Sequence, residues 1–294
     1  MSTLMNRRHF LGTGAAAALA LNTGFQTTAQ ARESAGHSRI GMILYTIRDF
    51  LKTPDDIARS LEKVKKIGYD NIELAGMGPI DNTRLARIVK DNALNVISAH
   101  ASWDGLTQDI QKEIDKYKEL GCDHLVISAL PAEYRSAEGY TQFAQIASGI
   151  GQKLAAAGMT LAYHNHSFEF VKYGGRTGQE ILRTGSDPRH FYFEIDTYWV
   201  QDGGADPADW IRKVAGRVRM VHMKDMAMLP VEKEFHPKRV FAEVGEGNLN
   251  WPAILEASEG AKVQYYIVEQ DTCQRDPMES IAISLRNMKS WGLA

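Results

Sequence analysis

Eight short apolar segments rich in β-forming residues alternate with longer segments whose hydrophobic residues recur every three to four positions. The short segments have the length of buried strands, and the longer ones have the period of amphipathic helices. This alternation is typical of a parallel sheet, in which each crossover is a helix. Eight such units predict a closed (β/α)8 TIM barrel. The predicted strands are residues 40–45, 71–74, 95–99, 124–128, 160–164, 191–195, 218–222 and 265–269.

The segments between the predicted strands carry the start and stop signals of helices. The sequence Thr-Pro-Asp-Asp at 53–56 combines an N-cap, a proline suited to the first helical turn and two acids that favour the helix dipole. Gly68 then marks the end of that helix. The same pattern predicts helices over 108–120 and 141–157. The first predicted strand is not followed by G-x-G-x-x-G, which argues against a dinucleotide-binding open sheet.

The N-terminal residues have the layout of an export signal rather than of a barrel unit. Asn-Arg-Arg-His-Phe-Leu at 6–11 resembles the twin-arginine signature, residues 12–21 are apolar, and Ala-Gln-Ala at 29–31 provides a cleavage site. We expect residues 1–31 to be removed, the protein to be exported in folded form to the periplasm, and residues 32–294 to form a single barrel domain. An uncleaved membrane anchor is disfavoured because the apolar stretch is shorter than the roughly 20 residues that a span needs.

The charge balance points to a small, uncharged partner. The 294-residue chain has a formal net charge of −2, so it lacks the basic excess that binds nucleic acid or an acidic membrane. We therefore expect no nucleic-acid partner and no membrane span once the signal is cleaved. The two cysteines, Cys122 and Cys273, are too few for a disulfide framework and lack the spacing of metal ligands. Cys122 opens an apolar run and is expected to be a small buried residue.

Polar side chains collect at the ends of the predicted strands, where barrel enzymes have their active sites. Carboxylates converging there need a cation, and a mixture of carboxylates and imidazoles suits Mn2+, Zn2+, Co2+ or Fe2+ better than Mg2+. We expect one divalent metal ion bound by Asp196, His222 and Glu269, from consecutive strands, with a fourth ligand from the fifth strand. The full set is Glu73, His100, His164, Asn165, His166, Asp196, His222, Lys224, Asp225 and Glu269.

The connection from Lys224 to about Trp251 is the longest between two predicted elements. It is polar and contains Pro230, Pro237 and several glycines. Structureless connections of this length are uncommon in compact domains and are usually functional. We therefore expect this segment to be a functional loop at the barrel rim.

The order of several short motifs resembles that of the xylose isomerase-like barrel superfamily, which includes sugar phosphate isomerases/epimerases, ketose 3-epimerases, inosose dehydratases and metal-dependent endonucleases. The resemblance covers essentially the whole chain after the signal. The matching segments are Ile-Glu-Leu-Ala-Gly at 72–76, Tyr-His-Asn-His at 163–166, Phe-Glu-Phe at 168–170, Glu-Ile-Asp-Thr-Tyr-Trp-Val at 194–200, Val-His-Met-Lys-Asp at 221–225, Val-Gly-Glu-Gly at 244–247, Trp-Pro at 251–252 and Val-Glu at 268–269.

The resemblance implies a metal held by a Glu, an Asp, a His and a Glu from the last four strands. The last three correspond to Asp196, His222 and Glu269. The first does not transfer directly, because the expected strand-five glutamate is replaced by His164. Either His164 is the ligand, or Glu169 reaches back from the following loop. Glu169 is favoured here because a second carboxylate would better balance the charge of the ion.

The implied activity is that of a metal-dependent isomerase or epimerase acting on a free sugar or keto-sugar. Such enzymes take a proton next to a carbonyl and stabilise the enediolate with the metal. Only Glu269 of the two expected glutamates is retained, which disfavours epimerisation by two bases. Isomerisation is therefore favoured over epimerisation, and a lyase reaction on a 3-keto-glycoside or an inosose is favoured in the same way. His164 or His166 would then be the acid, and Lys224 would hold a hydroxyl or an enolate oxygen.

Other residues near the strand ends are expected to bind the sugar. The predicted substrate-binding residues are Glu73, His100, Trp103, Trp199 and Asp225, with Tyr198 as a further aromatic candidate. Basic residues that could hold a phosphate are sparse, with Arg48 and Lys224 the main candidates, so a free sugar is favoured over a sugar phosphate.

Two other functions remain as alternatives. A non-catalytic, exported carbohydrate-binding barrel would explain the changed strand-five ligand and predicts that no metal is bound. A metal-dependent endonuclease predicts more histidine ligands and a basic groove, which the charge balance does not support.

Overall fold

The computed structural model describes residues 38–293, and the predicted export signal at 1–31 lies outside them. Eight parallel strands close into a barrel in chain order, with the eighth beside the first. The predicted (β/α)8 TIM barrel is therefore confirmed. The barrel strands, numbered first to eighth, are Ile40–Ile43, Asn71–Leu74, Asn95–Ala101, His124–Ile127, Thr160–His164, Tyr192–Asp196, Val218–Met223 and Tyr265–Val268.

Helices connect successive strands, as the right-handed crossover of parallel strands requires. The α-helices are Pro54–Ile67, Asn82–Asp91, Trp103–Gln108, Ile110–Glu119, Ala137–Ala156, Gly178–Gly185, Thr197–Asp202, Pro207–Lys213, Trp251–Gly260 and Pro277–Ser290. Short 3-10 helices form at Leu44–Phe50, Ala132–Tyr134 and Phe168–Phe170. No helix among residues 38–293 is long and apolar enough to cross a membrane.

The helix Pro54–Ile67 shows why the sequence signals work. Its N-cap, Thr53, accepts a hydrogen bond from the Asp56 amide, and the Asp56 carboxylate accepts one from the Thr53 amide, which forms a capping box. Gly68 ends the helix with a φ of 113°, a conformation that other residues rarely adopt. The buried face of the helix consists of Ile57, Ser60, Leu61 and Val64.

The barrel interior contains an apolar layer just below the strand ends. It consists of Ile43, Ile97, Val126, Ala162, Met220 and Ile267. Ala162 and Met220 lie two residues before His164 and His222 on the same strands, and residues two apart on a strand face the same side. The polar residues at the mouth of the barrel therefore rest directly on this apolar layer.

Three connections differ from the sequence-based expectation. The first strand ends at Ile43, because Leu44–Phe50 turns into a 3-10 helix. The predicted helix over 108–120 is Ile110–Glu119, capped by the carboxylate of Asp109, and a separate short helix that was not predicted, Trp103–Gln108, precedes it. The expected loop after Lys224 contains a hairpin of Asp225–Leu229 paired with Lys238–Ala242.

Candidate metal centre and active site

Two groups of possible metal ligands lie at the C-terminal ends of the strands, and His222 belongs to both. The mouth cluster comprises His164, Asp196 and His222, on the fifth, sixth and seventh strands, and Glu269, which directly follows the eighth strand. The inner cluster comprises Glu73, His100, Glu194 and the same His222. Glu194 precedes Asp196 by two residues on the sixth strand, so it faces the same side one layer deeper.

The mouth cluster has the geometry of a four-ligand site. His222 Nδ1 lies 2.8 Å from Glu269 Oε2. His164 Nε2 lies 3.4 Å from Asp196 Oδ2 and 3.7 Å from Glu269 Oε2. The four ligand atoms all lie within 4.8 Å of one another. Consecutive strands place them there, since Asp196 pairs with His222 in the sheet register.

Two atoms of the mouth cluster are buried without a hydrogen-bond partner, namely His164 Nε2 and Asp196 Oδ2. A buried polar atom left unpaired costs about 1–3 kcal/mol, so native structures rarely keep one without a purpose. These two atoms lie 3.4 Å apart, and His164 Nε2 also lies 3.7 Å from Glu269 Oε2. Two imidazole nitrogens and two carboxylate oxygens are a ligand set that Zn2+, Mn2+, Co2+ or Fe2+ accepts. The residues present therefore fit a divalent metal ion.

In the inner cluster, two parallel imidazoles face the same two carboxylates. The rings of His100 and His222 lie 6.0 Å apart with an interplanar angle of 6°. His222 Nε2 is 3.0 Å from Glu73 Oε1 and 3.1 Å from Glu194 Oε2. His100 Nε2 is 3.1 Å and 3.4 Å from the same two oxygens. Ser98 donates its hydroxyl hydrogen bond to the other oxygen of Glu73.

Lys224 is a buried cation next to the mouth cluster. Its side chain is 1% exposed, and Nζ lies 3.0 Å from Glu269, 3.5 Å from Asp196 and 2.9 Å from Asp271. Burial opposes the charge of the ammonium, but the three carboxylates outweigh burial and raise the pKa of Lys224 above its usual value. Lys224 is therefore protonated, and its charge offsets part of the negative charge at the mouth.

The imidazoles and carboxylates of the site hold one another in charged forms. Burial disfavours the imidazolium of His164, but the carboxylates of Asp196 and Glu269, 3.4 Å and 3.7 Å away, raise its pKa to about 10. Against burial, Glu194, Glu73 and Glu269 raise the pKa of His222 well above its ordinary value. Against burial, Lys224 and His222 likewise lower the pKa of Glu269 well below its usual range. The carboxylates of the site therefore stabilise positive charge strongly. A divalent cation can supply this charge in place of the protons on the imidazoles.

Glu169 does not reach the mouth cluster, so the structure does not support it as the strand-five metal ligand. It lies in the 3-10 helix Phe168–Phe170, fully buried. Its two oxygens accept hydrogen bonds from the Tyr163 hydroxyl and from the amide of His166. Burial raises the pKa of Glu169 to about 7, despite these hydrogen bonds. Among the described residues, the member of the mouth cluster that comes from the fifth strand is His164.

His166 lies at the mouth beside His164 and Trp199, at ring distances of 5.0 Å and 5.5 Å. Burial and the nearby charges of His164 and Lys224 lower the pKa of His166 to about 2. The imidazole is therefore neutral at physiological pH and does not suit the expected role of acid. His166 Nδ1 and Trp199 Nε1 are both buried without a hydrogen-bond partner, so both are available to a substrate.

Two expected substrate-binding residues have structural partners instead. The carboxylate of Asp225 accepts hydrogen bonds from the indole of Trp251 and from the backbone amides of Met226, Gly245, Gly247 and Leu249. Trp103 packs against Phe143 and Tyr134, at ring distances of 4.7 Å and 6.0 Å. Asp225 thus ties down the segment before the eighth strand, and packing accounts for Trp103.

Glu73 and His100 lie in the inner cluster rather than on an open rim. The Glu73 side chain has no exposed surface, and that of His100 is 13% exposed. Burial opposes ionisation of Glu73, but His100 and His222 lower its pKa well below the usual range. Of these two residues, only His100 has surface that a substrate could contact.

Two residues of the site were not predicted from the sequence, Glu194 and Asp271. Glu194 stands in an apolar strand, and the signal that could have identified it is its spacing of two residues from Asp196, which places both on one face. Asp271 follows the eighth strand by three residues and binds Lys224, a pairing between two connections that no sequence pattern indicates.

The chain is similar to known proteins over most of its length. A family model described as xylose isomerase-like TIM barrel matches residues 61–291. An inosose dehydratase from Mesomycoplasma hyopneumoniae strain 7448 is 24% identical over 289 residues, covering 86% of this chain and 96% of the relative.

Solved structures share the fold at lower sequence identity. A sugar phosphate isomerase/epimerase from Parabacteroides distasonis superimposes with a TM-score of 0.73 at 21% identity, covering 90% of this chain and 98% of that chain. The 3-keto-D-glucoside 4-epimerase YcjR from E. coli has a TM-score of 0.59 at 16% identity, covering 86% and 100% of the two chains.

Proposed function

Because the chain belongs to the xylose isomerase-like TIM barrel family, we propose that it is a metal-dependent enzyme acting on a keto-sugar or keto-cyclitol. The proposed reaction removes the proton next to the carbonyl and then eliminates a hydroxyl group as water, which makes the enzyme a lyase. The observation that carries this proposal is the mouth cluster, which places one ionised carboxylate, one buried ammonium and two unpaired ligand atoms together.

We propose that the mouth cluster holds the metal through His164 Nε2, Asp196 Oδ2, His222 Nδ1 and Glu269. The mixture of imidazole and carboxylate suits Mn2+, Zn2+, Co2+ or Fe2+ better than Mg2+. When bound, such an ion polarises a carbonyl and makes the adjacent C–H bond more acidic.

Glu269 is the proposed base. Its carboxylate stays ionised because Lys224 and His222, against burial, hold its pKa well below the usual range. An ionised carboxylate within the site can accept the proton from the carbon next to the carbonyl. The Lys224 ammonium lies 3.0 Å from the same carboxylate, where its charge favours an oxyanion forming on the substrate.

Lys224 is also the proposed source of the proton that leaves with the hydroxyl. Its raised pKa means that it keeps its proton in the resting site. A departing hydroxide is a far stronger base than the surrounding carboxylates and can take this proton. Asp271, 2.9 Å from Nζ, keeps the ammonium in place.

Elimination fits the strand-five residues better than two-base epimerisation does. Epimerisation through a planar intermediate needs a second base on the opposite face of the substrate. The candidate for that second carboxylate, Glu169, is directed at Tyr163 and the His166 amide instead. With one carboxylate base, abstraction followed by loss of a leaving group is complete. The sequence relative named inosose dehydratase supports the same choice.

Isomerisation or epimerisation is the second candidate, because it shares the first step. The observation that favours it is His166, a neutral imidazole at the mouth whose buried Nδ1 has no hydrogen-bond partner. Such a nitrogen could accept a hydrogen bond from a substrate hydroxyl and so orient the substrate for return of the proton by Glu269.

An uncharged substrate fits the cations at the mouth better than a sugar phosphate does. Lys224 is engaged by three carboxylates. The guanidinium of Arg48 donates to the carbonyl oxygens of Tyr45 and Asp271. Both cations that the sequence offered for a phosphate therefore have partners within the chain.

Incubation of the metal-loaded protein in D2O with a panel of keto-sugars, 3-keto-glycosides and keto-cyclitols tests the proposal. We expect one substrate to lose one water by mass spectrometry, and Glu269→Gln to abolish this loss. Deuterium incorporation without loss of water would identify the second candidate. Neither change, in any compound, would support a carbohydrate-binding barrel without catalysis and contradict the proposed enzyme.

We also propose that the protein is exported in folded form by the twin-arginine route, on the support of residues 6–31 alone. The double variant Arg7→Lys and Arg8→Lys should keep the precursor in the cytoplasmic fraction. Recovery of the mature form of that variant outside the cytoplasm would contradict the proposed route.

A further inference from the structure

The inner cluster contains two carboxylates, those of Glu73 and Glu194, that have no role in the proposed reaction. Glu73 and Glu194 have no exposed side-chain surface, and each presents one oxygen to the same two imidazole nitrogens. Fully buried carboxylates are retained only when a positive charge or several hydrogen bonds compensate them. The second oxygen of Glu194, Oε1, is buried and has no hydrogen-bond partner.

The charges of the two clusters balance only with more than one divalent ion. Imidazoles that bind metal are neutral, so the histidines contribute no charge when the site is loaded. The five carboxylates of Glu73, Glu194, Asp196, Glu269 and Asp271 then face the single ammonium of Lys224. With one divalent ion at the mouth, the sum is −2 when His100 is neutral and −1 when His100 is protonated between Glu73 and Glu194. A second divalent ion brings the sum to zero.

The spacing of the inner ligands matches a metal site. For a tetrahedral ion with bonds of about 2.0 Å, neighbouring ligand atoms are about 3.3 Å apart. His100 Nε2 lies 3.1 Å from Glu73 Oε1 and 3.4 Å from Glu194 Oε2. His100 is also the partly exposed member of this group, with 13% of its side chain exposed.

We propose that Glu73, His100 and Glu194 bind a second divalent cation, so that the loaded site is binuclear. His222 lies between the two ions. It binds the mouth ion through Nδ1, while its Nε2–H donates to the carboxylates of Glu73 and Glu194 that hold the inner ion. A histidine ligand whose second nitrogen donates to a carboxylate is a common arrangement at metal sites, because it fixes the tautomer and the ring orientation.

The inner ion goes beyond the proposed reaction, which needs only the mouth cluster. Three protein ligands leave one coordination position open, as in catalytic zinc sites. The second ion would also add positive charge below the mouth cluster. This charge would help to stabilise an anionic intermediate at the mouth.

The test is the metal stoichiometry of purified protein, stripped with chelator and then saturated with Mn2+, Co2+ or Zn2+ and measured by elemental analysis. We expect two equivalents per chain for the wild type. Glu194→Gln and His100→Ala should each bind one equivalent, and so should Asp196→Asn, the matched control that removes a mouth ligand. Only the wild type should show the loss of Mn2+ electron paramagnetic resonance intensity that coupled ions produce.

A wild type that saturates at one equivalent would overturn the proposal without affecting the mouth site, because Asp196→Asn would then bind none. Two equivalents that persist in both Glu194→Gln and His100→Ala would also overturn it. If Glu194→Gln fails to fold, His100→Ala decides alone, since His100 is the least buried of the three ligands.

Discussion

Asp196 and Asp225 are two aspartates of equal burial with opposite surroundings. The Asp225 carboxylate receives five hydrogen bonds from nitrogen donors of the chain, four of them backbone amides. Asp196 uses one oxygen to cap the following helix at Trp199, while the other has no hydrogen-bond partner and faces His164 and Lys224. One carboxylate is completed by its own chain, and the other is left for something outside it.

The difference indicates which buried polar groups serve stability and which serve function. A carboxylate with all its partners holds distant segments together, here the start of a hairpin and the turn before Trp251. A buried carboxylate with an unpaired oxygen destabilises the folded protein, and a bound ligand removes that destabilisation. The two aspartates should therefore respond in opposite ways to substitution.

Asp225→Ala should have the largest effect on stability. It leaves four backbone amides and the Trp251 indole without an acceptor, and removal of one partner from a buried charged network costs about 3–5 kcal/mol. Chemical denaturation of the metal-stripped protein measures the change in the free energy of unfolding. A loss below about 1 kcal/mol would show that Asp225 does not have the structural role that distinguishes it from Asp196.

Asp196→Asn should lower metal-dependent activity more than about a hundredfold, because loss of even an outer-shell partner costs 10- to 100-fold and Asp196 is a direct ligand. The free energy of unfolding of the metal-stripped variant should change by less than about 1 kcal/mol. Asparagine can still cap Trp199, and the substitution removes one of several crowded negative charges. A destabilisation as large as that of Asp225→Ala would erase the contrast between the two residues.

Glu169→Gln tests whether a third buried carboxylate makes the free energy of unfolding depend on pH. Burial raises the pKa of Glu169 from 4.5 to about 7 in the folded protein. The folded state thus binds the proton more tightly, so the contribution to stability is full below about pH 4.5 and is lost as the pH rises towards 7. The loss is about 3 kcal/mol.

The variant Glu169→Gln should lack this decline in unfolding free energy between pH 4.5 and 7, measured by denaturation at several pH values. Tyr163→Phe is the matched control, because it removes a hydrogen bond that lowers the pKa of Glu169. It should extend the decline to higher pH. Identical pH profiles for all three proteins would show that Glu169 is not protonated on folding.

Trp199→Phe should have the smallest effect. It keeps the ring beside His166 but removes the indole Nε1–H, which is buried without a partner at the mouth. If this group donates to the substrate, its loss costs about 1 kcal/mol, or roughly a fivefold rise in KM. Trp103→Phe, in the packed aromatic group, should leave KM unchanged. Equal effects of the two substitutions on KM would place both residues in the same role.

The fold was largely predictable because a barrel repeats one local pattern. Periodicity and caps such as Thr53 act within a few residues, so the sequence displays them directly. The site was most predictable for those residues that lie on the strands themselves. His164, Asp196 and His222 lie on strands, and the alternation of side chains determines which way they face.

Two expectations that the geometry does not favour concern Glu169 and Asp225, which follow strands where the backbone turns. Glu169 was expected at the metal, but the 3-10 helix at 168–170 directs it back to Tyr163. Asp225 was expected to contact substrate, but it begins a hairpin that the sequence did not reveal and closes the segment that follows. Position along the chain does not determine the direction of a side chain in such turns.

The central claim is that the unpaired atoms of the mouth cluster are completed by a divalent metal ion. Equilibrium dialysis of metal-stripped protein against Mn2+, Co2+ or Zn2+, followed by elemental analysis, tests it most directly. The wild type and Asp225→Asn, as far as the latter is folded, should bind the mouth ion, and Asp196→Asn should not. Equal metal content in wild type and Asp196→Asn, or no bound metal in either, would contradict the account.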